Sequence, residues 1–447
     1  MILRAGKNLN AWTLYDKLQE RQLICCQFPS KPCDECGMNL AEYSRLAINQ
    51  AHKIGAMLSH RNNSNGFLVG VASVLAMAAL VAWLWHREAQ PTSPQIATTS
   101  ATTNAISSSI TSAIPVAATS LSTTTNNRLQ KIYGALQTTP DAIAAREQLA
   151  ELRALLSAMP VNEAVAAVKK FLDSKADTAT HLGFKVAKNG LLGDAPTLRT
   201  FLLDELARLD PAAAADYSKV ILASNDSPDE WAVALRNLAW GDTSTDGRAL
   251  LEQKTGEMLQ YEPWQQNPSV GFLEAFDAAV YLGGTSLLPT LTDLVRQQDN
   301  PAVARASYLA LDRLVINNPT TTLTALLADP KSMQGRELTR ANYFARADVR
   351  DPQQLQILEN YLLNPQISPA EIDAFAGIFP NANYMISPNL LTQMQTPNRA
   401  ALASRDTASL SVIQKWVANP QFANLAPALQ KITTRLQSFV QQENQGQ

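Results

Sequence analysis

Residues 275–315 read AFDAAVYLGGTSLLPTLTDLVRQQDNPAVARASYLALDRLV, and this stretch decides the fold class. Its apolar residues recur three and four places apart, the spacing that lines one face of an α-helix. Leu282-Gly283-Gly284 interrupts that period as a turn, and Leu287-Leu288-Pro289 restarts it. Pro fits the first turn of a helix because its missing N–H has no intrahelical acceptor there. Asp299-Asn300-Pro301-Ala302-Val303 repeats the device, and Arg305, Ala306, Ala310 and Leu311 follow. Small Ala residues at this spacing let two helices approach closely.

The same rhythm extends outward. Segments 143–159, 160–172, 196–209, 211–223 and 228–240 carry helical apolar spacing, and several open on a capping residue followed by Pro: Thr139-Pro140, Asp210-Pro211, Ser227-Pro228. A further unit begins at Asp351-Pro352 and restarts at Ser368-Pro369, and Leu425, Leu429, Ile432, Leu436 and Val440 line one face of a closing helix. Sustained alternation is absent, so neither strands nor Asn-Gly hairpins are expected. Residues 126–447 are read as all-α.

The Leu-Gly-Gly turn, the Leu-Leu-Pro start and the Asp-x-Pro-x-Val segment, taken in that order, are similar to HEAT-type helical repeats. Arg305 stands one place later than the family's usual Val-Arg pair. Residues 227–239 (SPDEWAVALRNLA) echo the pattern more faintly. The resemblance implies an α-solenoid of stacked helix pairs, with a surface for protein or peptide partners.

Upstream lies a different composition. Residues 66–85, GFLVGVASVLAMAALVAWLW, carry no charge, and Ser73 is their only polar side chain. About 20 apolar residues suffice to cross the hydrocarbon of a bilayer. The expectation is a single transmembrane helix over 66–86, with Trp83 and Trp85 at the interface and Arg87 at headgroup depth. Arg45, Lys53 and Arg61 precede the span and only Arg87 closely follows it, which places the N-terminus in the cytoplasm and the C-terminal bulk outside, in the periplasm of a bacterial inner membrane. Residues 91–125 are mostly Ser, Thr, Ala, Pro and Ile with no charge, and read as a flexible tether.

The cytoplasmic segment 1–61 has eight basic and five acidic residues and holds all four cysteines, Cys25, Cys26, Cys33 and Cys36, within CCQFPSKPCDECG. Cys33-x2-Cys36-Gly37 has the spacing of a zinc knuckle, so zinc is the cofactor expected if any is bound; redox-active, lipidated or incidental thiols are the alternatives. The flanks 9–23 and 40–58 read as short amphipathic helices. A thiol cluster, a span, a tether and an outer domain resemble the layout of membrane-bound anti-sigma factors. The zinc-binding members carry a His three residues before the first Cys, and this chain has none there.

Residues 126–447 contain one histidine, His181, and no cysteine, which leaves no material for a His or Cys metal site or a Cys nucleophile. His181 is read as a partly exposed helix residue. Asp204-Glu205 and Asp229-Glu230, adjacent and therefore on different helix faces, read as solvated surface or helix-dipole charge. There is no phosphate loop and no basic patch for nucleic acid. Trp231, Trp240, Trp264 and Trp416 are expected mostly in the core. The Pro-bounded Tyr261-Glu262-Pro263-Trp264, with Trp231, is the candidate partner-binding surface. The function expected is a membrane-anchored scaffold, not an enzyme. The alternative is a transmembrane signal transducer with the cysteine segment as its output.

Overall fold

The helices begin where the sequence supplies a cap. In the computed structural model, which describes residues 116–138, 141–297 and 299–445, Asp210, Ser227, Asn300, Asp351 and Ser368 each accept a hydrogen bond from a backbone N–H in the first turn of the helix they open. A Pro follows each of them at the helix start. The cysteine-containing segment, the expected span and most of the expected tether lie outside the described residues, so the expectations for Cys25, Cys26, Cys33, Cys36, Trp83, Trp85 and Arg87 lie there too. Among the described residues no helix is long and apolar enough to cross a membrane.

The described chain is all-α apart from one short hairpin. In order it runs α1 (Val116–Thr138), α2 (Ala142–Ser157), α3 (Val161–Asp173), β1 (Lys185–Val186), β2 (Leu192–Asp194), α4 (Leu198–Leu209), α5 (Pro211–Ile221) and α6 (Pro228–Gly241). It continues with α7 (Thr245–Gln260), α8 (Glu262–Gln266), α9 (Val270–Glu274), α10 (Asp277–Leu282), α11 (Leu288–Arg296), α12 (Pro301–Asn317) and α13 (Pro319–Ala328). The last elements are α14 (Glu337–Phe344), α15 (Pro352–Leu362), α16 (Pro369–Ile378), α17 (Arg399–Ala418), a 3₁₀ turn (Pro420–Leu425) and α18 (Ala426–Gln445). Neighbours in sequence are neighbours in space: α5 packs on α6, α11 on α12, and α17 on α18. A continuous core runs through them from Leu129 to Leu436. The closing helix α18 buries Leu429, Ile432 and Leu436 and leaves its opposite face to solvent.

Three expectations are corrected. The first ten residues of α1 fall inside the stretch read as tether; Leu129, Ile132 and Leu136 anchor its second half in the core, and helix propagates back through Ala, Ser and Thr once nucleated. A hairpin does form, antiparallel, with Asn189-Gly190 at its turn and Gly190 at φ +80°, a dipeptide whose left-handed preference marks such turns. His181 is exposed in the irregular segment before this hairpin, at φ +57°, and not on a helix.

Gly241 is required by close approach. A Cβ there would lie 1.9 Å from the Pro211 carbonyl oxygen, where the end of α6 meets the start of α5. Gly241→Ala should therefore cost roughly 1–3 kcal/mol or more. Gly134, inside α1, has no atom within 4 Å of its added Cβ, so Gly134→Ala should gain about 0.5–1 kcal/mol. Urea midpoints of the two variants, moving in opposite directions, check the pair.

One segment departs from helix-on-helix stacking. Residues 379–398, between α16 and α17, form neither helix nor paired strand and run back along the array. The Asn381 amide donates to the Ala345 carbonyl (2.7 Å), Arg346 donates to the Asn383 carbonyl (2.6 Å) and Arg313 to the Ser387 hydroxyl (3.1 Å). Asp277, at the start of α10, accepts from the Leu391 and Thr392 amides (2.7 and 2.8 Å) and from the Thr392 hydroxyl. Gln393 finally donates to the Lys188 carbonyl in the hairpin (3.1 Å). This return strand links elements more than 200 residues apart in sequence.

Candidate functional site

The aromatic residues expected to meet a partner lie inside. Trp231 is 2 % and Trp264 8 % exposed, and their rings meet edge to face at 5.3 Å. Tyr261 packs on Trp264 at 4.8 Å, Trp264 on Phe272 and Phe272 on Phe276, a chain of edge contacts that fills the space left by an Ala-rich array. The Trp231 indole N–H donates to the Ser224 carbonyl (2.6 Å). Only Tyr261 reaches the surface in part, so Trp231 and Trp264 offer a partner nothing in this conformation. Trp416 is likewise buried, its N–H donating to Glu359 (2.9 Å).

The acidic pairs are also placed differently from their sequence reading. Asp204 and Glu205 are fully buried in α4, because helices pack on both sides of it. Asp204 meets Arg236 of α6 at 2.5 Å, and Glu205 accepts from Arg153 and Arg208. Arg236 also donates to the Gly190 carbonyl and to Asn237, and stacks over Trp240 at 4.7 Å. Burial pushes the Asp204 carboxyl up and the Arg236 guanidinium down, and their mutual attraction opposes both shifts. Glu230 forms a two-pronged pair with Arg199 (2.8 and 3.0 Å). Asp229 accepts from the Ser269 hydroxyl and the Gly271 amide. These acids are fully engaged in holding helices together. Among the described residues no group of three His, Cys, Asp or Glu side chains is placed to hold a metal.

One cavity at the start of α12 brings together two arginines without a carboxylate partner. Asn300 caps this helix and Pro301 starts it, and its first turns line an open cavity of about 550 Å³ shared with the end of α11 and the start of α14. Val295, Pro301 and Ala304 give it apolar wall; Arg305, Tyr308 and Arg336 give it polar groups. Arg305 is exposed and Arg336 half-buried, and among the described residues neither has a carboxylate within bridging distance. Tyr308 stacks on Tyr343 at 5.7 Å, and the Tyr343 hydroxyl donates to the Tyr308 carbonyl (3.1 Å), which fixes the inner wall. Burial pushes the Tyr308 phenol up, so it remains a neutral hydrogen-bonding group. Two guanidiniums, a phenol and an aliphatic wall suit a carboxylate carried on an apolar body. The sequence marks Arg305 only through its displacement by one place from the HEAT pattern, and gives no sign of Arg336.

Comparison with protein-family models, with curated proteins and with solved structures finds none that matches the chain.

Proposed function

We propose that the chain is a non-enzymatic, HEAT-like helical scaffold, held at a bacterial inner membrane by residues 66–86, whose outer array binds an acidic segment of a protein or peptide partner. The observation that carries this reading is the α12 cavity: two arginines free of carboxylate partners beside an apolar wall, one on α12 and one at the start of α14. Its lining contains no carboxylate, His or Cys. The consecutive packing of helix pairs supports the solenoid description, because such arrays offer extended surface along their stacked helices. The N-terminus is cytoplasmic and the array periplasmic on this reading.

A fluorescent dodecapeptide rich in Asp, Glu and Leu, titrated against the full-length protein, tests it. Binding should weaken about tenfold or more in Arg305→Glu/Arg336→Glu, equivalent to roughly 1.4 kcal/mol. It should also fall with added salt, because both charges lie near solvent. A basic peptide of equal length binding as well as the acidic one, or an acidic peptide indifferent to charge reversal, would refute the assignment.

A further inference from the structure

The cavity at the start of α12 offers more than positive charge. Pro301, Ala304, Arg305 and Tyr308 line it, spaced three, four and seven places apart and therefore side by side on one helix face. Ala304 and Arg305 are consecutive, so the apolar wall and the guanidinium beside it are rooted within one helical turn, about 5 Å. Ala304 ends at its Cβ and leaves depth over the wall, which Val295 at the end of α11 extends.

The other side of the cavity is the start of α14. Arg336 is the N-cap of that helix, Thr339 stands in its first turn, and no side chain caps it. The hydroxyls of Tyr308 and Thr339 and the two guanidiniums make no side-chain hydrogen bond among the described residues. Burial raises the Tyr308 phenol, and Arg305 is among the charges that oppose the rise, so the two groups lie within electrostatic reach of each other. Glu337, the acid next to Arg336, accepts from the Gly335 amide (2.9 Å), and neither it nor Asp299 lies on the lining. Gln297 spends its Nε2 on the Gln265 side chain (3.1 Å), so what it can offer a ligand is its oxygen.

The cavity thus asks for a carboxylate and an apolar group within about one helical turn of each other, next to an N–H. In an extended chain an internal Asp or Glu sends its side chain to the face opposite that of its neighbours. A C-terminal residue carries its carboxylate and its side chain on the same Cα, one bond from its own N–H. Its two oxygens can also accept from both guanidiniums and a hydroxyl together. We propose that this cavity takes the free C-terminal carboxylate of the partner chain, held by Arg305 and Arg336, with an apolar last side chain lying on Val295, Pro301 and Ala304. The proposal rests on the acidic-partner reading above and narrows it to a chain end.

Three fluorescent dodecapeptides with one acidic body, titrated against the full chain, form the test: one ends in Leu with a free carboxylate, one in Leu amide, and one in Gly with a free carboxylate. The free Leu acid should bind at least about tenfold tighter than its amide, the weight of a charge-assisted hydrogen bond. It should also bind about tenfold tighter than the Gly acid, which leaves the wall uncovered. In Arg305→Gln/Arg336→Gln the gap between acid and amide should close. In Ala304→Phe, which fills the wall and keeps both arginines, the gap between Leu and Gly should close. Acid and amide binding equally, and both weakening in Arg305→Glu/Arg336→Glu, would overturn the chain-end proposal and leave the acidic-segment reading standing. An acid–amide gap that survives Arg305→Gln/Arg336→Gln would place the recognition elsewhere and overturn the proposal. Failure of all three peptides to bind would remove the acidic-segment reading and this proposal with it.

Discussion

Asp204→Ala loses about 3–5 kcal/mol of stability, the cost of leaving a buried guanidinium without its partner. Asp204 and Arg236 are 1 % and 0 % exposed, and Asp204 also accepts from the Leu192 amide (2.9 Å), so the substitution strands a charge and a backbone donor together. The partner substitution Arg236→Met strands the carboxylate instead and should cost a similar amount. The double variant Asp204→Leu/Arg236→Met should recover most of the loss, because two apolar side chains of comparable volume avoid the desolvation that the ion pair must overcome. Urea unfolding of the four proteins gives the coupling energy. Strictly additive losses would show that the two side chains act independently.

Asp277→Ala should cost about 2–4 kcal/mol, because it removes the acceptor of two backbone amides and a hydroxyl at once. The effect should be local as well as global: hydrogen-exchange protection should fall at Leu391 and Thr392 before it falls in α4 or α6. Burial raises the Asp277 carboxyl above its ordinary value, although the Thr392 and Leu391 donors and Arg313 pull it down. A carboxyl raised in the folded state favours folding most fully below its unfolded value of about 3.9, and that contribution is lost as pH rises through the folded value. Asp277→Asn keeps one oxygen to accept from the return strand and removes the titration. Its stability should therefore be flatter than that of the parent as pH rises from about 4, with a smaller overall loss than in the Ala variant. An unchanged pH profile in Asp277→Asn would exclude this carboxyl as its source.

These effects come from the parts of the structure that the sequence concealed. Helix starts were readable because their physics is local: a side-chain oxygen at Asp210, Ser227 or Asn300 accepts from an amide two or three residues on, and Pro follows. Asp204 and Glu205 were misread because their burial is decided by α6 and α2, which bring Arg236 and Arg153 from 32 and 52 residues away. The return strand, FPNANYMISPNLLTQMQTPN, has no periodicity, and its path is set by Asp277, Arg313 and Arg346 rather than by its own residues. The hairpin had a local signal in Asn189-Gly190, but the flanking strands are too short to show alternation. The aromatics and Pro of Tyr261–Trp264 suggest an exposed loop, but the segment starts the short helix α8 and Trp264 packs into the core.

The candidate cavity combines both cases. The Asp299-Asn300-Pro301 start that fixes α12 is plain in the sequence, and Arg305 follows it within two turns. Arg336 and Thr339 arrive from α14 only when the helices stack. The return strand has a thermodynamic consequence too. In an open solenoid each repeat contacts only its neighbours and stability is a sum of adjacent terms. Here residues 379–398 tie the end of α14 to the hairpin, which should make the array unfold more cooperatively than nearest-neighbour stacking alone.

The most direct test of the scaffold assignment is site-specific photocrosslinking from position 308 of the full chain in intact cells. The account predicts a crosslink to an acidic segment of another protein, identified by mass spectrometry, that disappears in Arg305→Glu/Arg336→Glu while a probe at exposed Val220 is unaffected. A crosslink of equal yield after charge reversal, or one that maps to a basic segment, would contradict it.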